Sequence, residues 1–206
     1  EVIQMGCKHD CTGCKQECID RAVQLGYENT TKYWGCAQST FVAVVDTLRE
    51  YGVELTDKES EEAIFKCLVG LSGGHANMGD GNCGALTGAA FAISLASGVD
   101  RQKQLENKDY RWIAFDNVAK TVGQKFLEEY GGVTCRSVTW KRFGKWWNSW
   151  NPVAKADFSK EEKERGCLAP GKCTISKTAG LAVGFILDML ENPRTLKQIQ
   201  KDHNLV

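Results

Sequence analysis

The sequence has no surplus charge: lysine plus arginine and aspartate plus glutamate both number 26. That removes any global electrostatic pull toward nucleic acid or anionic lipid. Long hydrophobic runs are also missing. The longest uncharged stretch, residues 81–99, is mostly Gly, Ala, Ser and Thr, too weakly apolar for a membrane span. Alternating β-branched stretches are scarce, the best being Val133 to Thr139 after Gly131-Gly132, so strands are at most a minor component. No Ser-His-Asp set, paired-carboxylate site or nucleotide motif stands out, which leaves no organic substrate to assign. No internal repeat or low-complexity tract is visible. The chain starts at Glu1 without a cationic-then-apolar leader, so the compartment stays open, with the cytoplasm favoured over the periplasm as an expectation.

What is present is helical periodicity. Apolar residues recur at helical spacing in residues 36–52, 58–70 and 108–130. Residues 84–98 and 174–190 are apolar on nearly all sides and rich in Gly and Ala, as close-packed central helices are. These two segments are the expected core pair. With 206 residues there is ample chain for one buried core. The expected fold is all-α: a compact helical bundle in residues 21–206 behind a cysteine-rich N-terminal extension, residues 1–20. A glycine-rich loop from Ser72 to Asn82 and a segment from about 140 to 172 interrupt the helices.

Ten cysteines make sulfur the informative element, because this is more than an ordinary enzyme carries without a use for it. Cys7, Cys11, Cys14 and Cys18 are spaced C-x3-C-x2-C-x3-C. On one straight helix they would form a single stripe, but the rise from first to last is about 16 Å. No single metal spans that, since zinc–sulfur bonds are ~2.3 Å. Either residues 7–14 form a loop that lets the four thiolates hold a second cluster or zinc, or the stripe has other partners. The first three also match the spacing of radical-SAM enzymes, but no β/α barrel pattern accompanies them.

Cys36 and Cys83 each sit where a turn passes into a helix, and Cys173, after Pro170-Gly171-Lys172, is placed the same way. Helix starts favour the thiolate, the form that binds metal and attacks disulfides. Cys135 is expected to add a fourth sulfur from a short irregular or extended segment.

The pattern Gly35-Cys36-Ala37-Gln38-Ser39, then Gly73-Gly74, Cys83-Gly84-Ala85-Leu86-Thr87-Gly88, Cys135-Arg136, and Cys173 before an alanine-rich helix resembles the redox-active proteins named for a C-GCAxxG-C-C cysteine signature. A similar domain, without the haem motif here, accompanies the split-Soret cytochromes. The resemblance implies a helical bundle and an iron–sulfur cluster, 2Fe-2S or 4Fe-4S, on Cys36, Cys83, Cys135 and Cys173. It further implies electron transfer or redox sensing with a redox partner protein. Two departures stand out: Trp34 replaces the first signature cysteine and Thr40 the glycine. An extra Cys167 lies before the helix breakers Pro170 and Gly171, so Cys173 is the preferred ligand.

The alternatives are a thiol–disulfide oxidoreductase using low-pKa cysteines and a zinc-stabilised interaction module. Two centres close together would make a short electron wire, which favours electron transfer. Weaker features complete the reading. His75 and His9 are either ligands or ordinary loop histidines, and Cys67 reads as a small buried hydrophobe. Trp140, Phe143, Trp147 and Trp150 fall on one helical stripe: an interfacial anchor or partner surface, or an aromatic lid packed over the bundle or a homodimer contact. The Asn29-Thr30-Thr31 sequon is a glycosylation signal only if exposed in a secreted chain.

Overall fold

In helix α2 (Cys36–Glu50) eleven residues are buried, Ala37 to Val45 together with Thr47 and Leu48. A helix buried on nearly every side must be surrounded by others. The computed structural model, which describes residues 11–205 with side chains from Cys14 onward, supplies them as α1 (Cys11–Tyr33), α4 (Gly84–Ala96) and α10 (Thr174–Glu191). Of the described residues 71 % are helical, and no strand occurs among them; an isolated antiparallel bridge joins Asn82 and Thr134.

Small residues set the helix spacing. A methyl at Gly88 would stand 2.1 Å from the Ala37 carbonyl oxygen, so α4 lies with its backbone directly on α2. Gly26 faces Ser176 Cα, and Gly180 faces Val23 and the Ile19 carbonyl, which brings α1 equally close to α10. The expected core pair does pack together, but as half of a four-helix core with α2 as its most buried member. The boundary placed after residue 20 falls inside α1. Residues 11–20 belong to the same continuous helix, and Cys18 and Ala22 both enter the core.

The remaining helices wrap this core. They are α3 (Lys58–Val69), α5 (Arg101–Glu106), α6 (Arg111–Val118), α7 (Gln124–Tyr130), α8 (Cys135–Phe143), α9 (Pro152–Glu164) and α11 (Leu196–Asp202). The single helix expected over 108–130 is a 3-10 turn, α6, a π-helical turn at Ala119–Gly123, and α7. The wider turn keeps both Val122 and Phe126 in the core. At the far end the buried Asp116 carboxylate accepts bonds from Arg194, Lys120 and His203, and so fastens α11 to α6.

Several local expectations change. Val133–Thr139 is not extended beyond Thr134, because Thr134 caps α8 by accepting from Ser137 N–H and the chain turns helical at Cys135. The segment from 140 to 172 holds the thirteen-residue α9. The aromatic stripe is broken, since Gly144 at φ 74 ends α8 after Phe143. Phe143 and Trp147 pack with Phe158 as a buried lid, while Trp140 and Trp150 point to solvent. Cys67 is exposed rather than buried. Asn29 is buried and donates to the Ser39 carbonyl, so the sequon is not accessible. No helix among the described residues is long and apolar enough to cross a membrane.

Candidate functional site

The four cysteines of the leading expectation all begin helices. Cys36 and Cys135 are the first residues of α2 and α8, and Cys83 and Cys173 are the N-caps of α4 and α10. A cap side chain must accept a hydrogen bond from an unpaired N–H of the first turn, a task usual for Ser, Thr or Asp. At α10 sulfur performs it: Cys173 Sγ accepts from Ser176 N at 3.3 Å, whereas Cys83 makes no side-chain cap bond.

Three of these thiols come together. Cys36, Cys83 and Cys135 lie close enough for their charges to interact. Glycines permit the approach: a methyl on Gly84 would sit 2.2 Å from Cys36 Sγ, and one on Gly74 2.7 Å from Cys135 Cβ. Two backbone bonds tie the segments, Cys83 N–H to the Val133 carbonyl at 2.8 Å and Cys135 N–H to the Gly81 carbonyl at 3.0 Å. Cys173 is buried at the start of α10, where its sulfur faces Thr30 Oγ1 on α1 at 3.8 Å. Cys167 is half-buried in the linker before it. No three His, Cys, Asp or Glu side chains among the described residues are arranged to hold a single metal ion.

The electrostatics run against the expectation of activated thiols. Burial, then the charges of Cys36 and Cys135, push the Cys83 thiol well above its ordinary range, and the N–H groups of Leu86 and Ala85 only partly oppose this. Burial and Cys36 push Cys135 up to about 12. Helix starts do lower thiol pKa, but here desolvation and mutual repulsion exceed that effect.

The Gly-rich loop has a conformation that periodicity could not reveal. Gly73, Gly74, His75, Ala76 and Asn77 all have positive φ, between 46° and 71°, making one left-handed turn. Non-glycine residues adopt this at a cost of about 1–2 kcal/mol each, and such strain persists only where surroundings enforce it. They do so here. Ala76 N–H bonds the Gly70 carbonyl, Gly79 N–H the Gly73 carbonyl, and Arg136 N–H the Gly79 carbonyl, while Trp150 Nε1 donates to the Ala76 carbonyl at 2.9 Å. The turn aims Gly73 N–H at Cys36 Sγ, 3.3 Å away. His75 is exposed and packs over Gly81; His9 lies outside the described residues.

Ser72, just before the turn, is a residue that sequence reasoning missed. Gly35 has no side chain with which to cap α2. Ser72 Oγ does so from across the fold, accepting Ala37 N–H at 3.1 Å and donating to Gln38 Oε1 at 2.9 Å. A hydroxyl directly before a glycine pair was the available signal, but nothing local indicates which helix it serves.

The N-terminal cysteines lie elsewhere. Residues 11–14 are helical, not looped, so the loop version of this site fails for Cys11 and Cys14. Cys14 and Cys18 are one turn apart beside Tyr51, whose hydroxyl is raised by burial and then by Cys18, Glu17 and Cys14. Cys7 and the side chain of Cys11 lie outside the described residues. Because Tyr51 follows α2 and Cys36 begins it, Cys14 and Cys18 are separated from Cys36 by the length of that helix, about 22 Å at ~1.5 Å per residue.

Compared with known families, residues 34–181 match the model described as "Putative redox-active protein (C_GCAxxG_C_C)". The chain belongs to this family. No curated protein and no solved structure matches it. As a C_GCAxxG_C_C protein it departs from the signature at two positions that have physical correlates. Trp34 has φ 55 and is 79 % exposed, so its indole turns away from the core. Thr40 is fully buried but donates its hydroxyl to the Cys36 carbonyl at 2.9 Å, leaving no unpaired polar group.

Proposed function

We propose that the protein is an iron–sulfur electron-transfer or redox-sensing protein whose cluster is held by Cys36, Cys83 and Cys135, with Cys173 as the fourth thiol. The observation that carries this reading is the convergence of three thiols from three separate helix starts inside a shell of glycines. The donor set fits. The raised thiols of Cys83 and Cys135 are poor nucleophiles, but they suit a cationic core that removes the repulsion between sulfurs on binding. Thiolates of a cluster attach to different irons, so they need not close around one point as a single ion demands.

A cluster, when bound, supplies reversible one-electron uptake. The chain's own residues set the conditions. Gly73 N–H at Cys36, and the N–H groups of Ala85 and Leu86 at Cys83, favour negative charge on sulfur and so influence the potential. Cys83 and Cys173 are buried, which limits water near the sulfurs. A second cluster or zinc on Cys7, Cys11, Cys14 and Cys18 is a separate proposal, in which thiols spaced along the helix that begins at Cys11, rather than a closed loop, would bind it.

The test is iron, zinc and acid-labile sulfide analysis with visible spectroscopy on protein isolated without oxygen. Iron and sulfide in comparable amounts, both lost in Cys83→Ser, are expected. Iron-free, colourless protein overturns the proposal. Reversible paired oxidation of metal-free thiols, read as mass shifts after alkylation, would assign a thiol oxidoreductase instead; zinc without colour would assign an interaction module.

A further inference from the structure

Resting on that reading of the thiol group, we infer that the face around the left-handed turn is the docking surface for a small acidic electron-carrier protein. Four large apolar side chains from three segments meet solvent there. Trp34 is 79 % exposed, Met78 59 %, Trp150 71 % and Val153 79 %. Single exposed apolar residues are ordinary, but a group that includes two tryptophans has the composition of an interface centre. Their placement is established by contacts. Trp150 Nε1 is bonded to the Ala76 carbonyl of the turn, and Lys155 Nζ, two residues beyond Val153, stands 5.8 Å from the Trp34 ring. Trp34 is itself two residues from Cys36. The bond to Ala76 holds the Trp150 indole in place before any partner arrives, so little side-chain freedom is lost on binding.

Charge identifies the occupant. Residues 133–173 contain nine lysines and arginines against four aspartates and glutamates, in a chain whose totals balance. The rest of the molecule is therefore acidic by the same margin. Lys155, which stands against the Trp34 ring, is exposed with no carboxylate partner among the described residues, and Lys141 and Lys172 of the same basic segment are exposed likewise. Arg136, stacked on Trp146 at 4.2 Å and paired with Asp80, adds to the same side. An acidic protein is drawn to this face and repelled by the remainder, which fixes its orientation. A second copy docking through the same patch would set basic residues against basic ones, because a two-fold interface pairs a surface with itself. A carrier seated here covers the turn whose Gly73 N–H touches Cys36 Sγ.

The probe is a plant-type 2Fe-2S ferredoxin, a small acidic carrier, titrated into the full chain by calorimetry at low and high salt. Binding at low salt, weakened about tenfold or more by added salt and about tenfold by Lys141→Glu with Lys155→Glu, is expected, since rim charges act through screened attraction. Trp150→Ala weakens it as well, whereas Lys197→Glu on α11 leaves it unchanged. Absence of binding, or binding indifferent to salt and to the charge reversals, overturns the proposal. So does light scattering that shows a dimer dispersed by Trp34→Ala. Iron and sulfide analysis on the same sample separates the two readings. Ferredoxin binding by a chain devoid of iron and sulfide supports the surface while overturning the cluster. A loaded chain that ignores ferredoxin overturns the surface alone.

Discussion

Gly88→Ala is a stringent perturbation because it adds one methyl group where two backbones touch. The new Cβ would lie 2.1 Å from the Ala37 carbonyl oxygen and 3.0 Å from Phe41 N, whereas real Cβ contacts are essentially never under 3.0 Å. Neither neighbour is a flexible side chain that could swing aside, so α4 must move off α2 by about 1 Å. A gap of that size forfeits between about a quarter and a half of each dispersion contact across the interface. That interface contains Ala37, Phe41, Ala85, Ala89, Ala92 and Ile93, all fully buried. Overpacking of this kind costs about 1–3 kcal/mol, with the contact here at the severe end. Replacing glycine by alanine within a helix returns about 1 kcal/mol. A net loss of about 2 kcal/mol follows, or a fall in Tm of roughly 4–8 °C for a chain of this size.

Far-UV circular dichroism at 222 nm, in thermal and urea unfolding, reads this directly. Gly70→Ala is the matched control: nothing lies within 4 Å of its added methyl and its φ of −71° suits any residue, so it stabilises by about 0.4–1 kcal/mol. Wild-type stability in Gly88→Ala, or equal effects of the two substitutions, would refute the claim that backbone contact sets the α2–α4 distance. Because that distance also sets Cys36 against Cys83, Gly88→Ala should retain less iron per chain even below its Tm.

Three further outcomes follow from the side-chain chemistry. Cys173→Ser keeps a cap acceptor for Ser176 N–H and should unfold within about 1 kcal/mol of wild type, yet lose iron if this thiol is a ligand; unchanged iron content would assign it a capping role only. Iron loading should fall as pH drops and release protons on binding, because Cys83 and Cys135 are held protonated in the empty chain; a pH-stat titration with no proton release would contradict this. Burial works to raise the Asp116 carboxyl, but bonds from His203 and Lys120 and the charge of Arg194 outweigh it and hold its pKa below the ordinary carboxylate value. The folded pKa being the lower one, the stabilisation is complete above the unfolded value and disappears as pH falls through the folded value. Hydrogen exchange in α11 should accelerate in that acidic range, and Asp116→Asn should show the same acceleration at neutral pH and abolish its pH dependence.

The sequence by itself determined the main core helices and the redox-active family. Apolar spacing locates α2, α3, α4 and α10 to within a few residues, because amphipathic burial leaves its period in the chain. Cysteines next to turn residues announced helix starts at 36, 83 and 173, where local caps carry the signal. Only the tertiary structure decided the rest. That Cys135 opens a helix depends on Thr134 capping α8 while Gly81 accepts its N–H from another segment. The left-handed run from Gly73 to Asn77 is enforced by Trp150, Arg136 and Gly70, and the cap of α2 arrives from Ser72, 35 residues away from the N–H it accepts. The thiol acidity expected from helix dipoles was reversed for Cys83 and Cys135, because burial and mutual repulsion arise only once remote segments have been packed together. Local sequence encodes the direction of a backbone; it does not encode the solvent that folding removes from a side chain, and that solvent governs what the sulfurs here can bind.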